Sequence, residues 1–157
     1  MLSSKPLIPD GIKGPLNRRI WRFEPSSGAV TRLACERGTD VDFDRLEESI
    51  VSTERLAKSG DLEGRRLQLL DFYRLLGEAT RNEVLVILVS ALTDLVLKLM
   101  ARYDVGPWPT TSQTHRKIVR CLRRRSADEA VALMAGHLDK LHAYFSKSAM
   151  ETGPRAP

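Results

Sequence analysis

Aromatic residues are scarce in this sequence: they make up only 6% of its 157 residues, although 42% of the residues are hydrophobic. Leu, Val, Ile and Ala must therefore build the core, which favours helices over a sandwich of strands. Cysteine is also rare. The two cysteines, Cys35 and Cys121, are too few and too far apart for a disulfide scaffold or a thiolate zinc site. We expect both thiols to be small buried hydrophobes in a reducing compartment.

Long apolar segments are missing as well. Proline and glycine interrupt residues 1–15, so no signal-peptide core is present there. The longest uncharged run in the most apolar stretch is Val84–Thr93, which is shorter than the ~20 residues that cross a bilayer. The net charge of +5 permits acidic partners but does not require them. These features predict a cytoplasmic protein of one domain that has no membrane partner.

Helical periodicity runs from Ser26 to about Ser148. Residues 1–25 are interrupted by proline and glycine and are expected to form an arm or linker, and residues 149–157 a flexible tail. Between them, N-terminal caps at Asp61, Asn82 and Ser126 and C-terminal glycines at Gly38 and Gly60 divide the pattern. The fold class predicted is all-α, an antiparallel bundle of about six helices, with residues 26–148 as the globular part.

Two histidines fall on the apolar faces of the last two predicted helices. His115 lies eleven residues before Ser126 and His137 eleven residues after it. Each is therefore about 16 Å from the turn, and an antiparallel hairpin brings the two imidazoles level inside the bundle. Facing buried imidazoles can form a metal or carboxylate site, although the spacing alone favours two core histidines. In that alternative each histidine is satisfied by its neighbours.

The helix that carries His115 also has a basic face, formed by Arg116, Lys117, Arg120, Arg123 and Arg124. Phosphate contacts need only such a face, so nucleic-acid binding is one interpretation. No aromatic residue interleaves with these cations, and arginines in a last turn suit a helix C-terminus. A solvated outer face is therefore the interpretation that the sequence favours.

Several short segments together resemble the FCD domain, the effector-binding domain of FadR-type regulators in the GntR superfamily. The closing hairpin of that family has the pattern H-x-x-I, then D-x-x-x-A, then M-x-x-H-L. The corresponding segments here are Thr114–Leu122, Ala127–Ala130 and Met134–Leu138. Upstream, Phe72–Leu76, Glu78–Asn82 and Leu33–Asp40 resemble further family segments in the same order. The resemblance covers residues 24 to 146 and implies an all-helical bundle of six or seven helices.

The resemblance also implies a ligand site. Many FCD domains hold a divalent metal on three histidines and an aspartate, with an organic-acid effector beside it. His115 and His137 match two of these ligands, but Leu69 and Tyr73 stand where the other two belong. The implied metal site is incomplete and weak, which agrees with branches of the family that bind acyl-CoA without metal. Leu69, Tyr73, His115 and His137 would frame the remaining pocket.

Arg66 lies on the same helix face as Tyr73 and could offer charge to an anionic ligand. The sequence favours a solvent-facing arginine near a helix end as the interpretation of Arg66. For Tyr73, a simple core tyrosine and a pocket residue are supported equally.

The function implied is a ligand-sensing regulatory domain that takes a small organic acid or acyl effector and forms a homodimer. Family members carry a winged helix-turn-helix before this domain, whereas only about 25 residues precede the resemblance here. DNA contact is thus expected only through a domain absent from this sequence. The alternative is a helical dimerisation or interaction module with a vestigial pocket. No catalytic triad, carboxylate pair or phosphate loop supports an enzyme.

Overall fold

The computed structural model describes residues 24–152, which form six α-helices. They are α1 (Glu24–Arg37), α2 (Asp40–Ser59), α3 (Leu62–Ala79), α4 (Glu83–Arg102), α5 (Thr111–Arg123) and α6 (Ala127–Thr152). No strand occurs within residues 24–152, so the predicted all-α class is confirmed. Most of the predicted arm and the last five residues of the predicted tail lie outside the described residues. The last helix continues to Thr152, past the predicted end at Ser148.

The helix boundaries follow the capping chemistry that the sequence indicates. Thr39 caps α2 in a reciprocal pair with Asp42, each side chain accepting the other residue's backbone N–H. The Asp61 carboxylate accepts from the amide of Gly64, and Asn82 accepts from the first amides of α4. Gly60 ends α2 in the left-handed conformation with φ of 78°, which costs a glycine nothing.

Three other turns use a left-handed residue that is not glycine. Arg81, Asp104 and Arg125 have φ values of 53°, 52° and 58°, and each lies just beyond the end of a helix. No residue type in the sequence marks these positions, since such a conformation costs an arginine about 1 kcal/mol. Interactions of their side chains offset that cost: Arg81 pairs with Asp42 at 2.6 Å, and Arg125 donates to the Cys35 carbonyl at 2.6 Å.

The core consists of two neighbouring groups of buried side chains. The larger joins all six helices, α4 through Val89, and includes Phe43, Phe72 and Ile118, each almost fully buried. The smaller joins α3 with the C-terminal parts of α4 and α6 around Met100 and Phe145. Tyr73 packs against both groups. Cys35 and Cys121 are free and buried, as the sequence predicts.

Helix α4 is the exception to the rule that apolar faces are buried. Among the described helices its backbone runs close mainly to that of α3, and Gly77 permits the approach because a Cβ there would lie 3.3 Å from Val89. On the opposite side, Val84 and Ile87 are 72% and 70% exposed, and Leu88 and Leu95 are partly exposed. The outer face of α4 therefore offers an unpartnered apolar stripe.

This helix also corrects one inference from the sequence. Among the described residues α4 alone is long and apolar enough to cross a membrane by length and composition, with a mean hydropathy of 2.3. The length of the uncharged run gave too short an apolar segment. Asp94 and Lys98 interrupt that run, but they lower the mean hydropathy of α4 only slightly. A charged pair between Asp94 and Arg74 of α3 ties this helix to the bundle.

The basic face of α5 is less free than predicted. Arg116 pairs with Glu54 at 2.7 Å, and Arg123 pairs with Asp44 at 2.6 Å and Glu47 at 3.2 Å. All three acids lie on α2, so two of the cations join neighbouring helices. Periodicity in one helix could not reveal these partners because they come from a helix that lies far away in the sequence.

Candidate functional site

The hairpin of α5 and α6 places two imidazoles side by side in the interior. His115 is 2% exposed and His137 is 3% exposed, and their ring centroids lie 5.1 Å apart. Equal distances from the turn at Ser126 produce this juxtaposition, as the sequence predicts. Phe72 of α3 stacks on His115, with 3.7 Å between centroids and 8° between the planes, and this fixes one face of that imidazole.

The phenol of Tyr73 bridges the two histidines. Its hydroxyl oxygen lies 3.0 Å from His137 Nε2 and 3.3 Å from His115 Nε2. A phenol has a single proton, so it donates to one imidazole and accepts an N–H from the other. The three side chains, which we call the Tyr–His–His cluster, thereby satisfy one another inside the bundle. Neither histidine needs an added ligand at Nε2.

Burial keeps this cluster neutral. Desolvation lowers the pKa of His137 to about 4, with a further contribution from Lys140. The pKa of His115 falls well below its usual value, first because of burial and second because of His137. Burial raises the pKa of Tyr73. At neutral pH the cluster therefore holds uncharged imidazoles and a protonated phenol.

These residues do not fit a divalent metal. Tyr73 fills the space between the imidazoles and binds both Nε2 atoms, and Leu69 is a buried residue without a donor. No group of three or more histidine, cysteine or acidic side chains comes together for a metal anywhere in residues 24–152. Two neutral imidazoles without a carboxylate fall short of the three or four ligands that protein metal sites bring.

An apolar cavity of about 80 Å³ opens on the other side of Tyr73. Side chains of α1, α3, α4 and α6 line it together with Trp108, and none of them is charged. Leu69 and Tyr73 are among its walls, whereas His115 and His137 are not. The predicted pocket between the phenol and the histidines is thus filled, and the open space lies between α4 and the helices α1 and α6.

Arg66 lies elsewhere. Its Nε donates to the Val105 carbonyl at 2.9 Å and its guanidinium pairs with Asp104 at 3.0 Å. The side chain is 8% exposed and is not part of the cavity wall. Arg66 therefore anchors the segment after α4 to α3, and the structure does not bring it together with Tyr73 and the two histidines.

Most of the cavity wall could not be identified from the sequence. Thr31 of α1 and Leu92 and Val96 of α4 line the cavity, yet on a helical wheel they look like ordinary core positions. One signal was present: α4 is apolar nearly all round, which allows one side to face a cavity while another faces outward. Thr31 could not be recognised from the sequence. What distinguishes it is that its buried Oγ1 has no hydrogen-bond partner within the described part of the chain, and only the structure shows this.

Comparison with known protein families identifies the domain. The profile of the FCD domain matches residues 28–140, which is most of the chain and most of the bundle. The chain belongs to the FCD-domain family. This match confirms the family that the closing hairpin resembles, and it covers all the helices that form the Tyr–His–His cluster of this FCD domain.

A solved structure has a similar fold. Streptococcus agalactiae GntR superimposes with a TM-score of 0.68 at 19% sequence identity, over 87% of this chain and 62% of that one. At this identity the likeness concerns the fold alone, and the present chain spans about three-fifths of that protein. No curated protein matches the sequence.

Proposed function

We propose that this FCD domain is a ligand-sensing regulatory domain of a GntR-type transcriptional regulator, acting in the cytoplasm without catalytic activity. Its ligand is a small organic acid or acyl compound, and DNA contact belongs to a winged-helix domain outside this sequence. The observation that carries the proposal is the cavity beside Tyr73, because four helices and Trp108 converge on it and leave it unfilled. Small-molecule sites are typically apolar interior spaces of this kind.

The position of the cavity suggests how binding would be communicated. The cavity lies between side chains of α4 and those of α1 and α6, the C-terminal part of α4 packs on α6, and the backbone of α4 is held closely by α3. A ligand in this space adds contacts that join α4 to α1 and α6. The ligand therefore favours one position of α4, and a ligand shifts an equilibrium only through such differential contacts.

We propose further that the domain forms a homodimer through α4. Val84, Ile87, Ala91 and Leu95 form a stripe on its exposed face. Two copies of α4 packed antiparallel would place Glu83 of one protomer near Lys98 of its partner, so the end charges are complementary. Such an interface uses the same patch on both chains, as two-fold dimers do. Leu88 lies between stripe and cavity, which would couple ligand binding to dimer geometry.

The exposed stripe also supports the alternative that the domain is an interaction module whose cavity binds nothing. A pair of variants separates the two functions. Leu92→Phe fills the cavity, whereas Leu67→Phe adds the same bulk at a leucine of α3 that is 45% exposed and lies outside both the stripe and the cavity wall. The measurement is a thermal-shift screen of small organic acids and acyl compounds against the wild type and both variants.

A sensing domain should respond to at least one compound, with a rise in melting temperature of a few degrees at saturating concentration. Leu67→Phe should keep the response and Leu92→Phe should lose it. If Leu92→Phe instead raises the melting temperature in the absence of ligand and no compound shifts any of the three proteins, the interaction module is the correct function.

A further inference from the structure

The chemistry of the cavity wall specifies the class of ligand. From it we infer that the cavity binds an uncharged, mainly hydrocarbon molecule with one hydrogen-bond acceptor such as a ketone carbonyl, held by the hydroxyl of Thr31. This ligand class rests on the proposed sensing function: it keeps a carbonyl-bearing acyl compound and excludes the free organic acid. Three observations support it: the absence of charge in the wall, the engagement of Arg66 by other groups, and one unsatisfied buried hydroxyl.

No charged side chain lines the cavity, so an anion entering it would lose its hydration without gaining a partner. Transfer of an unpaired carboxylate into apolar surroundings is strongly unfavourable. Arg66, the anion partner that the helix face suggested, donates to Val105 and pairs with Asp104 outside the wall. The cluster histidines are neutral and engaged by Tyr73. The wall therefore selects against a free carboxylate.

Ser27, Thr31, Tyr73 and Thr93 supply the hydroxyls that line the cavity; Ser27 is partly exposed near the start of α1, and the other three differ in what they already bind. Tyr73 is bonded to both histidines, and Thr93 Oγ1 donates to carbonyls within α4. Thr31 is fully buried, and its Oγ1 has no hydrogen-bond partner among the residues that the structure describes. A buried polar atom without a partner destabilises the fold and is rare in native proteins. A ligand carbonyl beside Thr31 would satisfy it.

The size of the cavity limits the ligand. Its volume of about 80 Å³ is smaller than the ~150 Å³ engineered cavity that binds benzene, so the ligand atoms inside it are fewer than the six of benzene, on the order of three or four. The aliphatic wall fits an unbranched or singly branched chain. A small neutral carbonyl compound combines this length with a single acceptor.

The test compares two compounds with four heavy atoms each, acetone and acetate, by NMR titration of the full chain at neutral pH. We expect the ketone to bind at least tenfold more tightly than the anion. Leu92→Phe should abolish ketone binding, and Leu67→Phe should leave it unchanged. Acetate binding that equals or exceeds ketone binding and is lost in Leu92→Phe would overturn this inference but leave the sensing function intact. Binding of neither compound would overturn both.

The role of Thr31 is tested by Thr31→Val, which replaces the hydroxyl with a methyl of similar size. We expect two opposite effects: a higher melting temperature without ligand, because an unsatisfied hydroxyl is gone, and ketone binding three- to tenfold weaker. A residue that only packs would not change both in this way. Unchanged ketone affinity in Thr31→Val would overturn the assignment of Thr31.

Discussion

At the scale of single residues, Tyr73 determines what the interior can hold. A histidine at this position would complete a row of imidazoles, but the phenol bonds to both existing imidazoles and closes the space between them. Its other side forms part of the cavity wall. Tyr73 thus satisfies two buried histidines and leaves the neighbouring space apolar.

Two substitutions at the positions where the family resemblance implies metal ligands should create a metal site. The double variant Leu69→Asp with Tyr73→His supplies a carboxylate and a third imidazole, spaced four residues apart on the face of α3 that packs against His115 and His137. We expect it to bind one zinc, nickel or manganese ion per chain, since four protein ligands are then available. The measurement is metal analysis of protein purified without an affinity tag or chelator.

Because a buried aspartate can destabilise the fold, thermal denaturation with and without zinc provides a second readout. Zinc should raise the melting temperature of the double variant and leave the wild type and both single variants unaffected. Stoichiometric metal in the wild-type protein would show that the Tyr–His–His cluster opens to accept an ion, and Tyr73 would then not be the residue that excludes metal.

How far a residue's role could be predicted depended on how local its partners are. The positions of His115 and His137 follow from one hairpin, and simple counting from Ser126 brought them together. Arg66 shares a helix face with Tyr73, but its partners lie on the segment after α4, where Asp104 adopts a left-handed conformation that no residue type announces. The helical wheel showed which face of α3 carries Arg66, but it could not show which residues the guanidinium binds.

At the scale of elements, α4 has two apolar sides with different tasks. The inner side packs on α3 and faces the cavity, and the outer side carries Val84 and Ile87 into solvent. Exposed aliphatic residues in a contiguous stripe typically mark an interface. The pattern of α4 predicted a helix that is apolar nearly all round, which suggested a central helix with several neighbours. The structure gives it one close helical neighbour and an open face.

The stripe leads to a prediction about assembly. Ile87→Lys places a charge at the centre of the proposed interface, where burial against a second copy would desolvate it. We expect the wild type to be a dimer at tens of micromolar and Ile87→Lys to be a monomer with the same helical content. Sedimentation velocity and circular dichroism measure the two properties.

Val41→Lys is the matched control because Val41 is 67% exposed on α2, outside the stripe. This variant should remain dimeric. A wild-type protein that sediments as a monomer at these concentrations would contradict the proposed dimer. A dimer that survives Ile87→Lys would place the interface on another surface.

At the scale of the whole molecule, helix contacts come in two kinds. The helices α2, α3, α5 and α6 share one well-filled core, and ion pairs such as Arg116–Glu54 join α2 to α5. Between α4 and the helices α1 and α6 the packing is incomplete. The number of helices and most of their ends could be predicted from the sequence, because caps and periodicity are local. The position of the cavity could not be predicted from the sequence, since it depends on the side-chain volumes of four helices at once.

The buried histidines make the stability of the whole domain depend on pH. In the unfolded chain a histidine titrates near pH 6.5, whereas the pKa of His137 in the folded domain is about 4. Below pH 6.5 the unfolded state therefore binds protons that the folded state does not, and the free energy of unfolding falls as the pH falls. The contribution of His137 is fully present above pH 6.5 and is lost towards pH 4. His115 acts in the same direction.

We expect the free energy of unfolding to fall by about 2 kcal/mol between pH 7 and pH 5 from His137 alone, which is a large share of a typical domain stability. Urea denaturation at the two pH values measures it, and pH 5 stays above the range in which most carboxylates titrate. His137→Gln keeps a hydrogen-bonding group near Tyr73 but cannot gain a proton, so its stability should change less over this interval. Equal slopes for the two proteins would mean that His137 is accessible to protons in the folded state, and the neutral, sealed cluster beside the cavity would have to be abandoned.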